Sequence, residues 1–217
     1  MRGVHLRTVL LLAGTGLTPA VPVALAQNDC LKDYRMPAVG SWAEYQGDFD
    51  KKPSTIRYAV VGEETRAGTN MKWLEMRMTG ETPDKTLIYQ ALTPGNPAEM
   101  DQIQEIIFKP GTKPAMKMNG MMMNMIRGQL GKNSAFNNFC EGVTLAGEES
   151  VTVPAGTFTA TRFHDAEHET DSWVTQEVPF YMVRSKGKKF EINLVKSGEG
   201  ATSSITETPQ EMGGPSK

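Results

Sequence analysis

The segment MKMNGMMMNM (116–125) holds six methionines in ten residues, more potential soft-metal ligands than any other part of the sequence. Thioether sulfur selects Cu(I), and three converging sulfurs are enough to hold that ion. If the segment is helical, Met118, Met122 and Met125 share one stripe, whereas Met123 points away. These three residues are therefore the candidate copper ligands.

Two other interpretations of this segment do not involve copper. Methionine is unbranched and polarizable, so the same stripe could contact an apolar ligand, or could simply fill a core. The copper interpretation is weakened because no histidine lies close by in the sequence. All three interpretations remain open at the level of sequence.

A second candidate metal site is HDAEHETD (164–171), which holds His164 and His168. Two histidines four residues apart can share one metal ion when they lie on a helix. Here β-rich segments flank the pair, and residues four apart in an extended strand are roughly 13 Å apart. An acidic, solvent-exposed hairpin tip is the favoured interpretation.

No motif in the sequence predicts catalysis. It contains no GxSxG nucleophile motif, no P-loop and no GxGxxG that follows a strand and opens a helix. The acidic pairs at 63–64 and 148–149 lie at predicted strand ends, where we expect them to be solvated. We therefore predict a protein that is not an enzyme, has no catalytic residues and needs no cofactor, with copper as the alternative.

Period-two, β-rich segments make up most of the remaining chain. The predicted strands cover 41–49, 54–62, 71–79, 85–93, 102–111, 149–154, 156–164, 171–176, 179–185, 188–196 and 201–207. Their short connections favour antiparallel neighbours, because a parallel crossover needs a dozen or more residues. One helix is predicted from Asn119 as N-cap to Gly131 as the terminating glycine.

These elements predict a mainly β protein, with a large curved antiparallel sheet of ten or eleven strands and one inserted Met-rich helix. A single helix cannot cover so large a flat sheet, so we expect a half-barrel whose concave face the helix closes as a lid. The predicted ligand-binding residues are Met118, Met122, Met125, Ile126, Leu130 and Trp73.

The N-terminus predicts export. Arg2 and Arg7 precede an apolar stretch, and Ala24 and Ala26 give the A-x-A spacing of a signal peptidase site, so cleavage is expected before Gln27. The predicted organisation is a signal peptide (1–26), one domain (27–206) and a disordered tail (207–217). We expect a periplasmic protein, or alternatively an extracellular one, with no transmembrane segment.

Charge and cysteine content restrict the partners and the compartment. Loss of Arg2 and Arg7 changes the formal charge from −2 to about −4, which excludes a nucleic-acid partner. Cys30 and Cys140 are predicted to form a disulfide, since an oxidising compartment favours one and no C-x-x-C pair is present. The loop of 140 − 30 = 110 residues would contribute about 4–5 kcal/mol in the chain-entropy model.

The segments ESVTVPAGTFTATRF (149–163) and DSWVTQEVPFYMVRSKGKKFEINLVKSGEGATSSI (171–205) resemble the C-terminal block of uncharacterised exported bacterial proteins. We associate that block with the half-barrel of LolA-, LppX- and RseB-like proteins. The resemblance implies a binding protein that holds acyl chains or lipidated partners in its concave face under a mobile helical lid. No individual functional residue transfers, because the ligand contacts of such proteins are diffuse apolar positions.

The predicted function is an exported, non-enzymatic carrier or sensor of an apolar ligand, either a lipid or a lipoprotein-like partner. The alternatives are Cu(I) binding through residues 116–125 and a structural envelope protein without a small ligand.

One triple variant separates the first two functions. Replacing Met118, Met122 and Met125 with leucine removes three sulfurs but keeps the hydrophobicity. If copper is the ligand, competition with a colorimetric Cu(I) chelator under anaerobic conditions will show that tight binding is lost. If the ligand is apolar, uptake of a fluorescent fatty acid will stay nearly unchanged.

Overall fold

The computed structural model describes residues 34–49, 52–80, 82–95, 102–130 and 143–212. The predicted signal peptide, the cleavage site before Gln27 and both cysteines, Cys30 and Cys140, lie outside these residues. The signal peptide and the disulfide therefore stay predictions.

The described residues form twelve strands and one α-helix. The first six strands are β1 (Trp42–Phe49), β2 (Lys52–Arg66), β3 (Thr69–Thr79), β4 (Leu87–Thr93), β5 (Glu105–Pro110) and β6 (Met116–Lys117). After the helix α1 (Gly120–Leu130) come β7 (Val143–Val153), β8 (Gly156–Asp165), β9 (Thr170–Val174), β10 (Met182–Lys186), β11 (Phe190–Gly198) and β12 (Gln210–Glu211). A 3-10 turn at Pro83–Lys85 precedes β4.

All twelve strands belong to one open sheet in the order β12-β6-β5-β4-β3-β2-β1-β11-β10-β9-β8-β7. Two meanders meet where β1 pairs antiparallel with β11, from Trp42 opposite Gly198 to Phe49 opposite Phe190. Within the described ranges the pair β6–β12 alone is parallel. The predicted fold class, a large curved antiparallel sheet with one inserted helix, is confirmed, although β6 and β12 bring the strand number to twelve.

The C-terminal meander curls back on itself. The β7–β8 hairpin reaches β10 and β11, and the N–H of Ala155 donates to the carbonyl of Leu194 at 3.1 Å. This curl encloses the larger core, which comprises Ala43, Tyr45, Val151, Val153, Ala160, Trp173, Val178, Val183 and Leu194. The concave side of the sheet is therefore the side on which Ala43 and Tyr45 lie.

Residues 201–212, here called the C-terminal strap, run across the opposite, convex side of β3–β6. The N–H of Ala201 donates to the Gly40 carbonyl at 2.8 Å near β1. At the other end Glu207 Oε1 accepts from Lys109 Nζ at 2.6 Å and from the Ala115 N–H at 3.2 Å. The strap buries Ile205 against Ile88, Ile107 and Ala115, with Trp73 packed beside them.

The strap corrects two expectations for the C-terminus. The predicted strand 201–207 is not a strand, because the Ser203 hydroxyl donates to the Ile205 carbonyl and accepts from the Ile205 N–H, local bonds that compete with a ladder. Part of the predicted disordered tail 207–217 is also ordered, since β12 lies within it. Residues 213–217 lie outside the described part of the chain.

A buried carboxylate holds the strap on the sheet. Glu75 on β3 is 1% exposed. Its Oε2 accepts from the Ser204 N–H and from Gln90 Nε2, both at 2.8 Å, and its Oε1 accepts from the Ser204 hydroxyl at 2.6 Å. The Gln90 amide also donates to Ser203 Oγ at 2.6 Å. Such a network is stable only while every member is satisfied.

Replacing Glu75 with alanine should therefore lower the free energy of unfolding by about 2–4 kcal/mol, because it leaves the Ser204 N–H and one N–H of the Gln90 amide without an acceptor. Urea denaturation measures this change. Glu148→Ala is the matched control, since Glu148 is exposed and a surface change of this kind stays within about 0.5 kcal/mol. Equal effects of the two variants would contradict the structural role of Glu75.

Candidate functional site

Three cross-strand rows of apolar side chains cover the concave side of β2–β6, here called the apolar face. The longest row follows the register through Tyr58, Met76, Tyr89, Phe108 and Met116. The row on one side of it contains Val60, Leu74, Ala91 and Ile106, and the row on the other contains Ile56, Met78, Leu87 and Pro110. Because side chains alternate along a strand, these residues lie on the side of the sheet that the strap does not cover.

The two sides of these strands are covered to different extents. On the convex side, under the strap, Glu75, Gln90 and Leu92 are buried. On the apolar face, Met76, Tyr89 and Phe108 are only half-buried, and so are most of their neighbours in the three rows. The Tyr89 and Phe108 rings lie 6.4 Å apart between centroids. An apolar surface of this extent is therefore left partly open to solvent.

An aromatic cluster borders the apolar face where the face meets the larger core. The ring of Tyr58 lies 5.9 Å from Tyr45 and 5.9 Å from Phe180. The Tyr45 hydroxyl donates to the Met182 carbonyl at 3.1 Å. Burial raises the pKa of Tyr45 and of Tyr58, so both phenols are neutral at physiological pH.

A strained turn positions the aromatic side chains at this border. The N–H of Tyr181 donates to the Val178 carbonyl at 3.1 Å, so residues 178–181 form a turn in which Phe180, at φ 62°, occupies a position that favours glycine. Tyr181 follows at φ 64°, and the Met182 N–H donates to the Phe180 carbonyl at 2.7 Å, as in a classic γ-turn. Such residues persist only where surrounding contacts hold them.

Residues 34–37, here called the N-terminal segment, contact this turn and one end of the apolar face. The Tyr34 ring lies 5.3 Å from the Tyr181 ring, and the N–H of Arg35 donates to the Tyr181 hydroxyl at 3.2 Å. Burial, reinforced by Tyr181, raises the pKa of Tyr34 to about 12. Lys72 Nζ donates to the carbonyls of Met36 and Pro37, at 3.2 and 2.7 Å.

The helix α1 begins as predicted, because the Asn119 side chain accepts from the Met122 N–H at 3.0 Å. Its contacts run to the edge of the sheet: Arg127 Nε donates to the Ile103 carbonyl at 2.7 Å, and Asn119 Nδ2 donates to the Met212 carbonyl at 3.0 Å. A polar groove of about 270 Å³ separates α1 from Glu105, Lys117 and Glu211. These contacts place α1 at the β5–β6 edge, beside the strap.

The methionines of α1 are oriented differently from the predicted stripe. Met123, which we expected to point away, is 4% exposed, whereas Met125 is 56% exposed and Met121 is 83% exposed. Met118 lines the polar groove with Met123, and Met122 is half-buried. The helix therefore packs through Met123. This difference arises because α1 packs against the chain before β5 rather than over the concave face.

Of the other predicted ligand-binding residues, the structure describes only the side chain of Trp73. Trp73 lies on the convex side, where it packs beside Ile88 and Ile107 in the cluster under the strap. The side chains of Ile126 and Leu130 lie outside the described part of the structure. The apolar face itself follows from the alternation of Leu74, Met76 and Met78 on β3, whereas Lys72 and the N-terminal segment are contacts that the sequence analysis missed.

The two histidines face separate carboxylates at the tip of the β8–β9 hairpin. His164 Nδ1 lies 3.0 Å from Asp171 Oδ1, and His168 Nδ1 lies 2.7 Å from Asp165 Oδ2. The His168 side chain is 67% exposed. This arrangement agrees with the acidic hairpin tip favoured from sequence. Within the described ranges, no group of three or more His, Cys, Asp or Glu side chains is arranged to hold a metal.

No family model matches this chain, and no curated protein matches it. Two solved structures are similar over about three quarters of its length. One is a "putative lipoprotein" from Parabacteroides distasonis ATCC 8503, with 13% identity and a TM-score of 0.37, which covers 75% of this chain and 97% of the other.

The second is a "putative exported protein" with a YmcC-like fold from Bacteroides fragilis NCTC 9343, with 10% identity and a TM-score of 0.36. It covers 76% of this chain and 99% of the other. The resemblance to LolA-, LppX- and RseB-like proteins stays a prediction. Among the described residues, no helix has both the length and the apolar character needed to cross a bilayer.

The hairpin tip gives a prediction on pH dependence. The hydrogen bond that the His168 ring donates to the Asp165 carboxylate, together with the charge of that carboxylate, raises the pKa of His168 above its ordinary value of about 6.5. A raised folded-state pKa stabilises the fold below the unfolded-state value, and this contribution disappears as the pH rises through the folded-state pKa. His168→Ala should therefore lower Tm more at pH 5.5 than at pH 8.5.

Asp165→Asn is the matched variant for this test. Asparagine can still accept the N–H groups of Glu167 and His168, each of which lies 3.0 Å from Asp165 Oδ1, but it lacks the charge. An NMR titration should show that the pKa of His168 returns toward its ordinary value in this variant. An unchanged titration would show that Asp165 does not cause the shift.

Proposed function

We propose that this protein is an exported, non-enzymatic carrier or sensor of an apolar ligand, which binds on the apolar face. The observation that supports the proposal is the unequal covering of β3–β5. Their convex side is buried under the strap, while Met76, Tyr89 and Phe108 on the concave side are half-buried. Large exposed apolar surfaces on soluble proteins commonly mark binding sites.

The face suits a flexible hydrocarbon chain better than a rigid ligand. The rows contain Met76, Met78 and Met116 beside Tyr89 and Phe108, and methionine adapts to irregular apolar shapes. Binding would remove hydrocarbon and the three rows from water together, which contributes about 0.8 kcal/mol for each buried CH₂. An acyl chain, either free or attached to a lipidated protein, is the ligand class that fits this surface.

The ligand lies against the sheet in this proposal rather than under a helical lid. The contacts of α1 run to Ile103, to Gln104 and to the strap, at the β5–β6 edge. The lid remains a prediction of the sequence. The copper alternative gains no support from α1, where Met122 is half-buried and Met125 is 56% exposed.

A chain-length series tests the proposal directly. The affinity for saturated fatty acids of increasing length should rise roughly fourfold per methylene until the face is filled, as expected for about 0.8 kcal/mol per CH₂. Displacement of a fluorescent fatty acid measures it. Met76→Glu should abolish the uptake, because a charge within the longest row would be buried beneath the ligand.

Met125→Glu is the matched control, since Met125 is 56% exposed on α1. This variant should bind like the original protein. If Met76→Glu fails to fold by circular dichroism, Met76→Gln keeps the length of the side chain and should weaken binding by a smaller amount. Affinities that do not change with chain length, or a purified protein that takes up no fatty acid at all, would disprove the proposal.

A further inference from the structure

One cation lies at the end of the apolar face. Lys72 is on β3, two residues before Leu74 and four before Met76, so the three side chains point to the same side of the sheet. Its register partners are Glu63 on β2 and Thr93 on β4. Lys72 therefore brings a positive charge to the rim of a surface whose three rows are apolar.

The partners of Lys72 in the described structure are two neutral carbonyls. Its ammonium group donates to Met36 and Pro37 of the N-terminal segment. The carboxylate nearest in the register, Glu63, is exposed and instead accepts a hydrogen bond from Asn70 Nδ2 at 3.4 Å. The charge of the lysine is thus hydrogen-bonded but not neutralised by a carboxylate among the described residues.

We propose that Lys72 binds the carboxylate of a long-chain fatty acid whose hydrocarbon chain lies along the apolar face, an inference that rests on the proposed function. The carboxylate takes the place of the Met36 and Pro37 carbonyls, so that an ion pair replaces hydrogen bonds to two neutral acceptors. One ammonium group matches the single charge of a carboxylate. A phosphate monoester, with close to two charges, would need further donors.

The N-terminal segment is attached in a way that permits this exchange. Side-chain contacts hold it, namely the Tyr34 ring on Tyr181 and the Arg35 N–H on the Tyr181 hydroxyl, rather than a strand ladder. Its Met36 and Pro37 carbonyls accept the hydrogen bonds of the Lys72 ammonium group until a carboxylate replaces them. In this arrangement the N-terminal segment also shields Lys72 from anions other than the fatty acid.

The test compares two probes with the same chain, dodecanoate and dodecan-1-ol, at pH 8. The original protein should bind dodecanoate about tenfold more tightly than the alcohol, as expected for a hydrogen bond between charged groups. Lys72→Met keeps an unbranched apolar side chain but removes the charge, so it should lose this preference while its affinity for dodecan-1-ol stays the same. Lys72→Arg should retain the preference.

Lys113→Met is the matched control, because Lys113 is exposed and lies in the turn after β5; it should keep the preference. The role of Lys72 would be overturned if the original protein bound the two probes with equal affinity, or if Lys72→Met lost affinity for both probes alike. Either result would leave the proposed function, binding of an apolar ligand, unaffected. Failure of both probes to bind the original protein would instead contradict the proposed function itself.

Discussion

The antiparallel pairing of β1 with β11 is the constraint on which the rest of the structure depends. It joins the N-terminal meander to the C-terminal one along eight residues of β1, so that strands from opposite ends of the sequence become the centre of one sheet. Because the pairing fixes which side of β1 carries Ala43 and Tyr45, it also makes the filled core of one half continuous with the apolar face of the other.

The two halves of this sheet solve the problem of burying an apolar surface in different ways. The C-terminal half curls until β7 meets β10 and β11, and its own side chains fill the space. The N-terminal half uses the strap, which covers the convex side through a buried carboxylate on β3 and hydroxyl groups of Ser203 and Ser204. The concave side of that half therefore keeps its three apolar rows partly exposed.

The sequence predicted the local elements well because their period is set by neighbouring residues. The alternation of Leu74, Met76 and Met78, and the cap at Asn119, were both readable from the chain alone. Contacts between residues far apart in the sequence could not be predicted in this way. Nothing local indicates that Ser204 meets Glu75, 129 residues away, or that α1 packs at an edge through Met123. Of the predicted binding residues, Met123's neighbour Met125 is exposed on α1 and Trp73 lies on the convex side, whereas the apolar face is formed by strands.

The described sheet is open and so has two edge strands, whose form affects how readily a strand of another molecule can pair with them. At one edge β12 offers only two residues for pairing. At the other, β7 is eleven residues long and carries the exposed Leu145, but a bulge between Leu145 and Gly147, where Gly147 adopts φ 115°, breaks its regular register. Bulges and very short strands prevent a foreign strand from adding to an edge. Each outermost strand of the described sheet therefore has a feature that disfavours pairing with a strand of another molecule.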